Sequence, residues 1–341
     1  MPYSVNACFD DFLSHKVNLV SDRVETARTS RDNLIDNISQ LCDKGELPKQ
    51  YEQMILHFGS FARRTKIRPL DDIDIMFCLS GNGGFYTEIM PNSLYTIRMP
   101  DGLAIYNELT DINGNLNSRK LINRFISKLE NVNDYSKAEL HRNQEAVTLQ
   151  LRSYEWNYDI VPCFFANEDF YLIPDGNGNW KKTDPRIDNS RMNRIDMKCK
   201  KGNNKGKDLH TFIRLMKYWK NQKWTTDVGS YMFEQMILNY ADVYGMKSSW
   251  QENVSQCLDY LSRFIFYQVN DPKGMQGDLN SLDLATKNKL SASAEVDYNI
   301  SVRAIIEEKV AAVMNTNHSE AIKKWNAIFG NEFKLYGMSY L

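Results

Sequence analysis

The chain is short of net charge. Lys and Arg number 42 against 43 Asp and Glu, which leaves −1 over 341 residues. No global field therefore draws it onto nucleic acid or an anionic membrane, and any basic surface has to be local. Cysteine is sparse as well: Cys8, Cys42, Cys78, Cys163, Cys199 and Cys257 never form a C-x-x-C pair. That spacing excludes the usual zinc-ligand patterns. Several of the six sit in apolar runs, as small core residues of a reducing compartment do. No apolar run approaches the ~20 residues of a membrane span. The opening "MPYSVNACFDDFLSHK" carries acids where a secretory signal needs an apolar block. A soluble, cytoplasmic protein is expected, with no membrane partner. Internal repeats and low-complexity tracts are missing too. The glycine-rich "SGNGGF" lacks the Lys-Ser/Thr of a phosphate-binding loop and reads as a turn.

What is present is ordinary globular material, 42% hydrophobic and 25% charged. The length exceeds what one core usually supports, so two lobes are expected. Residues 12 to 42 read as one long helix, with Val20, Val24, Ala27, Leu34, Ile38 and Leu41 at helical spacing. "YEQMILH" reads as a second, short helix leading to Gly59-Ser60. Alternating segments follow: "DDIDIMFCLS", "SLYTIRM", "AVTLQL" and "YEWNYDIVPCFF" read as strands, and "SRKLINRFISKLEN" between them as a helix. After a basic stretch at residues 198 to 207, read as a solvated linker, every pattern is helical. The helices expected there are "LHTFIRLMKYWKNQ", "SYMFEQMILNYADVY", "VSQCLDYLSRFIFYQV", "NISVRAIIEEKVAAVMN" and "EAIKKWNAIFG". The expected organisation is a mixed α+β lobe with a long N-terminal helix over residues 1–200 and a helical lobe over 201–341, with the boundary zone at 195 to 207.

The stretch "FGSFARRTKIRPLDDIDIMF" carries the chemistry. In a strand, residues i and i+2 share a face, so Asp72 and Asp74 project together while Ile73, Ile75 and Phe77 face the core. Two carboxylates ~4 Å apart repel by about 4 kcal/mol at an effective dielectric near 20. A divalent cation relieves that, and an all-oxygen site completed by substrate phosphates suits Mg²⁺. Asp159, at the polar-to-apolar junction of "WNYDIVPCFF", is the best third acid, with Glu155 as the alternate. Upstream, Gly59 and Ser60 supply small residues and backbone N–H groups that can approach a triphosphate closely. Arg63 and Arg64 read as surface charge and His57 as structural.

Hydrophobic-Gly-Ser followed by Asp72-Ile-Asp74-Ile resembles the signature of the polymerase-β-type nucleotidyltransferases. Within them, the chain resembles the cGAS/DncV-like family (CD-NTases) of the bacterial SMODS type. The segments that carry the resemblance are "GSFARRTKIRPLDDIDIMF", "YDIVPCF", "IPDGNGNWKKTDP", "FIRLMKYWK", "GSYMFEQMI" and "AIKKWNAIFGNEF", in order over residues 58 to 333. The first motif is common to many nucleotidyltransferases; the set of six is far more specific.

The resemblance implies a bilobed α+β nucleotidyltransferase fold, with a mixed-sheet lobe, a helical lobe and the active site in the cleft between them. It implies a cyclic di- or trinucleotide made from nucleoside triphosphates, purine or pyrimidine, as a second messenger in antiphage (CBASS) defence, read by a downstream effector. Asp72, Asp74 and Asp159 would hold two Mg²⁺ ions, with Mn²⁺ as a substitute, and Asp159 would be the general base. Gly59, Ser60, Lys217, Ser230 and Tyr231 would bind nucleotide: Lys217 as a point charge on the triphosphate, Ser230 as a helix N-cap or phosphate ligand, and Tyr231 stacked on a base. Animal relatives that sense double-stranded DNA carry a Cys/His zinc module. None is present here, so no obligatory nucleic acid is expected. Two other readings stay open: a different nucleotidyltransferase, acting on RNA ends, small molecules or proteins, and a catalytically silent nucleotide sensor. Intact acids and Gly-Ser count against silence, and the charge balance counts against an RNA-end enzyme.

Overall fold

The computed structural model describes residues 4–91, 93–166, 170–200, 206–224 and 228–333. The chain opens with α1 (Val5–Phe12), which runs into a π-helical turn at Leu13–Val17, and α2 (Ser21–Asp43) follows. The single helix expected over 12 to 42 is thus two, because Asn18 is extended (φ −74°, ψ 144°). The break has a tertiary partner. The Arg68 guanidinium donates to the carbonyls of Ser14 at 2.8 Å, His15 at 2.6 Å and Asn18, and so satisfies groups that a broken helix leaves open.

Next come β1 (Gln50–His57), the single turn α3 (Gly59–Ala62), β2 (Asp72–Leu79), β3 (Phe85–Met90), β4 (Leu94–Arg98) and the turn α4 (Ala104–Asn107). "YEQMILH" is therefore strand, not helix. A short apolar run fits either period, and antiparallel pairing with β2, broken by one register shift, decides it. The amphipathic α5 (Ser118–Leu129) starts at Asn117, whose side chain caps Lys120 N–H. After it lie β5 (Glu139–Asn143), β6 (Ala146–Gln150), β7 (Asn157–Ala166), β8 (Phe170–Pro174) and β9 (Trp180–Thr183). Among the described residues, nine strands form one mixed sheet in the order β1-β2-β7-β8-β9-β4-β3, with β6 on β7 and β5 on β6.

The rest is helical: α6 (Pro185–Lys200), α7 (Leu209–Lys223), α8 (Ser230–Tyr244), α9 (Trp250–Phe264), α10 (Leu284–Met314) and α11 (Ser319–Phe329). The stretch read as a linker begins inside α6, through Lys198–Lys200, and its residues 201–205 lie outside the described residues.

The chain divides into two compact units. One is the sheet unit, Ser21–Arg64 with Pro69–Asp188; the other, the helical unit, is Met1–Val20, Thr65–Arg68 and Asn189–Leu341. Within the sheet unit, Met76, Cys78, Val161, Cys163 and Tyr171 form one apolar cluster. On the other face, Phe77 meets Phe125 of α5 edge to face at 6.2 Å. Within the helical unit, Phe9 packs on Trp325, Phe329 and Phe333 at ring separations of 5.0, 5.8 and 4.8 Å. All six cysteines are buried and free, as small core residues. Among the described residues, no helix is long and apolar enough to cross a membrane.

Candidate active site

The parallel pairing of β2 with β7 builds the acid cluster. Its register sets Asp72 beside Asn157 and Asp74 beside Asp159. Partners in register share a face, so Asp72, Asp74 and Asp159 lie together at one end of a face that continues as Met76, Cys78, Val161 and Cys163. The opposite face begins with Ile73 and Ile75, 1% and 0% exposed, as the alternation predicts. Apolar residues thus anchor the strands while their ends carry the acids.

Oxygens from all three carboxylates lie within 4.8 Å of one another, each half-buried. Like charges at such a separation repel by about 3 kcal/mol per pair at an effective dielectric near 20. A hard divalent cation fits this all-oxygen donor set. Sequence reasoning did not single out Thr148. Paired with Asp159 across β6 and β7, it donates its hydroxyl to Asp159 Oδ1 at 2.6 Å. The only signal for it was its polar place in the alternating "AVTLQL", which means nothing until strand order is known.

Glu155, the alternate third acid, precedes β7 and forms a bidentate pair with the Arg23 guanidinium, which also covers the Trp156 ring at 5.2 Å. A second cluster, Asp196, Asp208 and His210 in the helical unit, is equally close-knit. There Lys200 already supplies a cation, 2.6 Å from Asp196 and 3.9 Å from Asp208. The strand-borne aspartates, brought together by the paired ends of β2 and β7, are the metal candidate.

Gly59 completes the arrangement. Its φ is +75°, and a Cβ on it would lie 1.8 Å from Asp74 Oδ2, so the turn backbone rests directly against the acid. Ser60 follows in the first position after it, half-buried. Arg63 is half-buried and Arg64 exposed at φ 59°, and His57 ends β1.

The other expected nucleotide ligands belong to the helical unit. Ser230 is exposed and opens α8, but Gly229 holds the N-cap position and no side chain caps the helix, so the N-cap reading of Ser230 is replaced by a first-turn one. Tyr231 is half-buried, unlike its core neighbours Phe233 and Met236. Its hydroxyl meets Asp271 Oδ1 at 3.2 Å and accepts from Lys273 Nζ at 2.6 Å; that ammonium also lies 4.3 Å from the ring centroid. Asp271 in turn accepts backbone N–H groups of Lys273, Met275 and Gln276. Lys217 is buried, with Nζ 2.5 Å from Glu234 Oε2.

Known proteins resemble this chain in sequence and in fold. A family profile described as the Second Messenger Oligonucleotide or Dinucleotide Synthetase (SMODS) domain matches residues 3–195. The chain belongs to this family. A probable cyclic nucleotide synthase of Bacillus cereus (strain VD146) is 39% identical over 340 residues, 98% of each chain. Two solved structures share the fold of this SMODS protein. One is an Escherichia coli MS115-1 CdnC:HORMA-deltaN complex, with TM-score 0.68 and 15% identity over 96% of this chain and 98% of that one. The other is the same organism's CdnC with ATP, with TM-score 0.66 and 17% identity over the same shares. The α+β nucleotidyltransferase fold expected of the SMODS chain is thus borne out, as is its place among the CD-NTase nucleotidyltransferases. Divalent-metal use is general in these enzymes, and the aspartate triad is one of two groups among the described residues that could hold such an ion.

Proposed function

We propose that this SMODS nucleotidyltransferase joins nucleoside triphosphates into a cyclic di- or trinucleotide, releasing pyrophosphate, as a cytoplasmic second messenger of antiphage defence. The observation that carries the reading is the convergence of Asp72, Asp74 and Asp159, with the Gly59 backbone packed on Asp74. Mg²⁺ held by these three carboxylates would lower the pKa of the acceptor hydroxyl and neutralise the α-phosphate and departing pyrophosphate. Gly59 and Ser60 contribute backbone N–H groups and a hydroxyl to the donor triphosphate. Asp159, held through Oδ1 by Thr148, takes the acceptor hydroxyl's proton. Exposed Ser230, in the first turn of α8, offers a phosphate contact at a helix N-terminus. Tyr231 presents its ring to a base. Like the CdnC structure solved with ATP, the enzyme would take a free triphosphate, and its product would act on a cyclic-nucleotide-responsive effector.

The test is a reaction of the purified chain with Mg²⁺ and the four NTPs. Pyrophosphate and phosphatase-resistant products are expected, with ring size and bases read by mass spectrometry. The Asp72→Ala/Asp74→Ala double variant should fold and make neither. Products that phosphatase degrades would replace cyclisation with linear polymerisation.

A further inference from the structure

A hollow of about 620 Å³ lies between α9 and α10 of the helical unit. Asp259, Ser262 and Arg263 recur at i, i+3 and i+4 on α9, and Ser291, Glu295 and Tyr298 at i, i+4 and i+7 on α10, so each set shares one helix face. Ser301 Oγ bonds Ser255 Oγ at 2.8 Å, and Ser291 Oγ donates to the Ser262 carbonyl at 2.6 Å, so the two helices run antiparallel. The small serines leave open space between the larger side chains. Its volume is in the range of small-molecule sites.

Three aromatic rings line the hollow: Phe266 and Tyr267, just past the end of α9, and Tyr298 of α10. The first two are 41% and 64% exposed, so their apolar surface is open to a ligand. Their backbone is fixed. Tyr267 N–H donates to the Phe264 carbonyl at 3.1 Å, and buried Asn280 donates from Nδ2 to the carbonyls of Ile265 and Tyr267 at 2.7 and 2.8 Å. A ligand therefore meets a wall whose ordering cost is already met by the fold. Two carboxylates, Asp259 and Glu295, stand in the lining against one guanidinium, Arg263. Arg263 is paired with Asp259, one turn back on its own helix. Glu295 is exposed and has no hydrogen bond or ion pair among the described residues. The lining thus keeps one negative charge in excess, which disfavours a phosphate-bearing occupant. A cation is attracted both by the carboxylate and by the negative faces of the rings.

We propose that the hollow between α9 and α10 binds a linear polyamine, with ammonium groups against Glu295 and the ring faces and methylene links along the apolar ring surface. A bare metal ion leaves the three rings unused, and an apolar ligand leaves Glu295 without a partner. An alkylammonium chain uses both features at once. The proposal is independent of the nucleotidyltransferase reading, because the lining contains none of the three aspartates and none of the expected nucleotide ligands.

The test is calorimetric titration of the full chain with spermidine at low ionic strength. Saturable binding is expected, weakening as KCl is added. Glu295 and Tyr267 are both exposed, so their variants should fold. Glu295→Gln and Tyr267→Ala should each raise Kd by roughly tenfold, whereas Tyr267→Phe, which keeps the ring, should stay within about threefold of wild type. The Asp72→Ala/Asp74→Ala variant should bind spermidine as wild type does. No saturable binding, or binding that Glu295→Gln and Tyr267→Ala both leave unchanged, would overturn the proposal. So would binding lost with Asp72 and Asp74 but kept in Tyr267→Ala, which would move the polyamine to the aspartate triad. Sedimentation of the same proteins addresses the other occupant: a wild-type dimer that Tyr267→Ala turns into a monomer would give the hollow to a second copy of the chain and end the ligand reading.

Discussion

Gly59 and Asp74 touch so closely that no side chain fits between them: a Cβ on the glycine would stand 1.8 Å from the carboxylate oxygen and 2.5 Å from Cγ. The left-handed backbone at φ +75° adds a strain of about 1–2 kcal/mol for any L-residue. Gly59→Ala is therefore expected to lower stability by at least about that amount in urea unfolding and to displace Asp74. Pyrophosphate release should fall by on the order of 10²-fold. Near wild-type turnover in a folded Gly59→Ala protein would show that the contact is incidental to the chemistry.

The three aspartates repel one another when no cation is bound, and that has a thermal consequence. In chelator, Asp72→Asn, Asp74→Asn and Asp159→Asn should each melt at or above the wild-type temperature, because each removes like-charge pairs worth about 3 kcal/mol at most. Added Mg²⁺ should raise the wild-type melting temperature by mass action and leave the variants nearly unmoved. Activity in each should drop by on the order of 10²-fold or more. Glu155→Gln is the control. It breaks only the exposed pair with Arg23, so melting should change by less than about 1 kcal/mol, with turnover unchanged.

Thr148→Val keeps shape and β-branching in β6 while removing the hydroxyl that Asp159 Oδ1 accepts. A hydrogen bond to a charged group contributes about 1.5–3 kcal/mol. Titration of activity with Mg²⁺ should therefore show a requirement raised by roughly tenfold, with the NTP KM at saturating metal little changed. An unaltered metal dependence would mean that Thr148 serves the sheet alone.

Tyr231 separates ring from hydroxyl. Tyr231→Phe loses the Asp271 and Lys273 hydrogen bonds but keeps a π face, whereas Tyr231→Ala loses both. Stacking contributes about 1–3 kcal/mol per base. KM for NTP should thus rise roughly tenfold or more in Tyr231→Ala and only slightly in Tyr231→Phe. Equal effects would place the importance of this residue in its hydrogen bonds.

Several errors of the sequence reading share one cause. "YEQMILH" has an apolar run too short to separate a 3.6 period from a 2.0 period, and β2 supplied the pairing that made it strand. The first helix looked continuous because no Gly or Pro interrupts it; Arg68, some fifty residues on, accounts for the carbonyls at the break. Glu155 and Asp159 share a face in an idealised strand, but β7 starts at Asn157, and Arg23 from α2 claims the glutamate.

The amino-acid order by itself determined the parts whose physics is local. Alternation put Asp72 and Asp74 on one face and Ile73 and Ile75 on the other. The helical period marked α5, α7, α8, α9 and α11 and the second half of α10, but not its first half. The Gly-Ser turn, the acid pair and the later motifs together named the family. Only the tertiary structure decided which distant groups meet: Asp159 beside Asp74 through a parallel register, Thr148 on Asp159, the backbone of Gly59 against Asp74, and Lys217 on Glu234 and Thr65. Side-chain direction follows from neighbours a few residues away, whereas strand order and buried pairing depend on how the whole chain satisfies its polar groups at once, and no short stretch of residues carries that information.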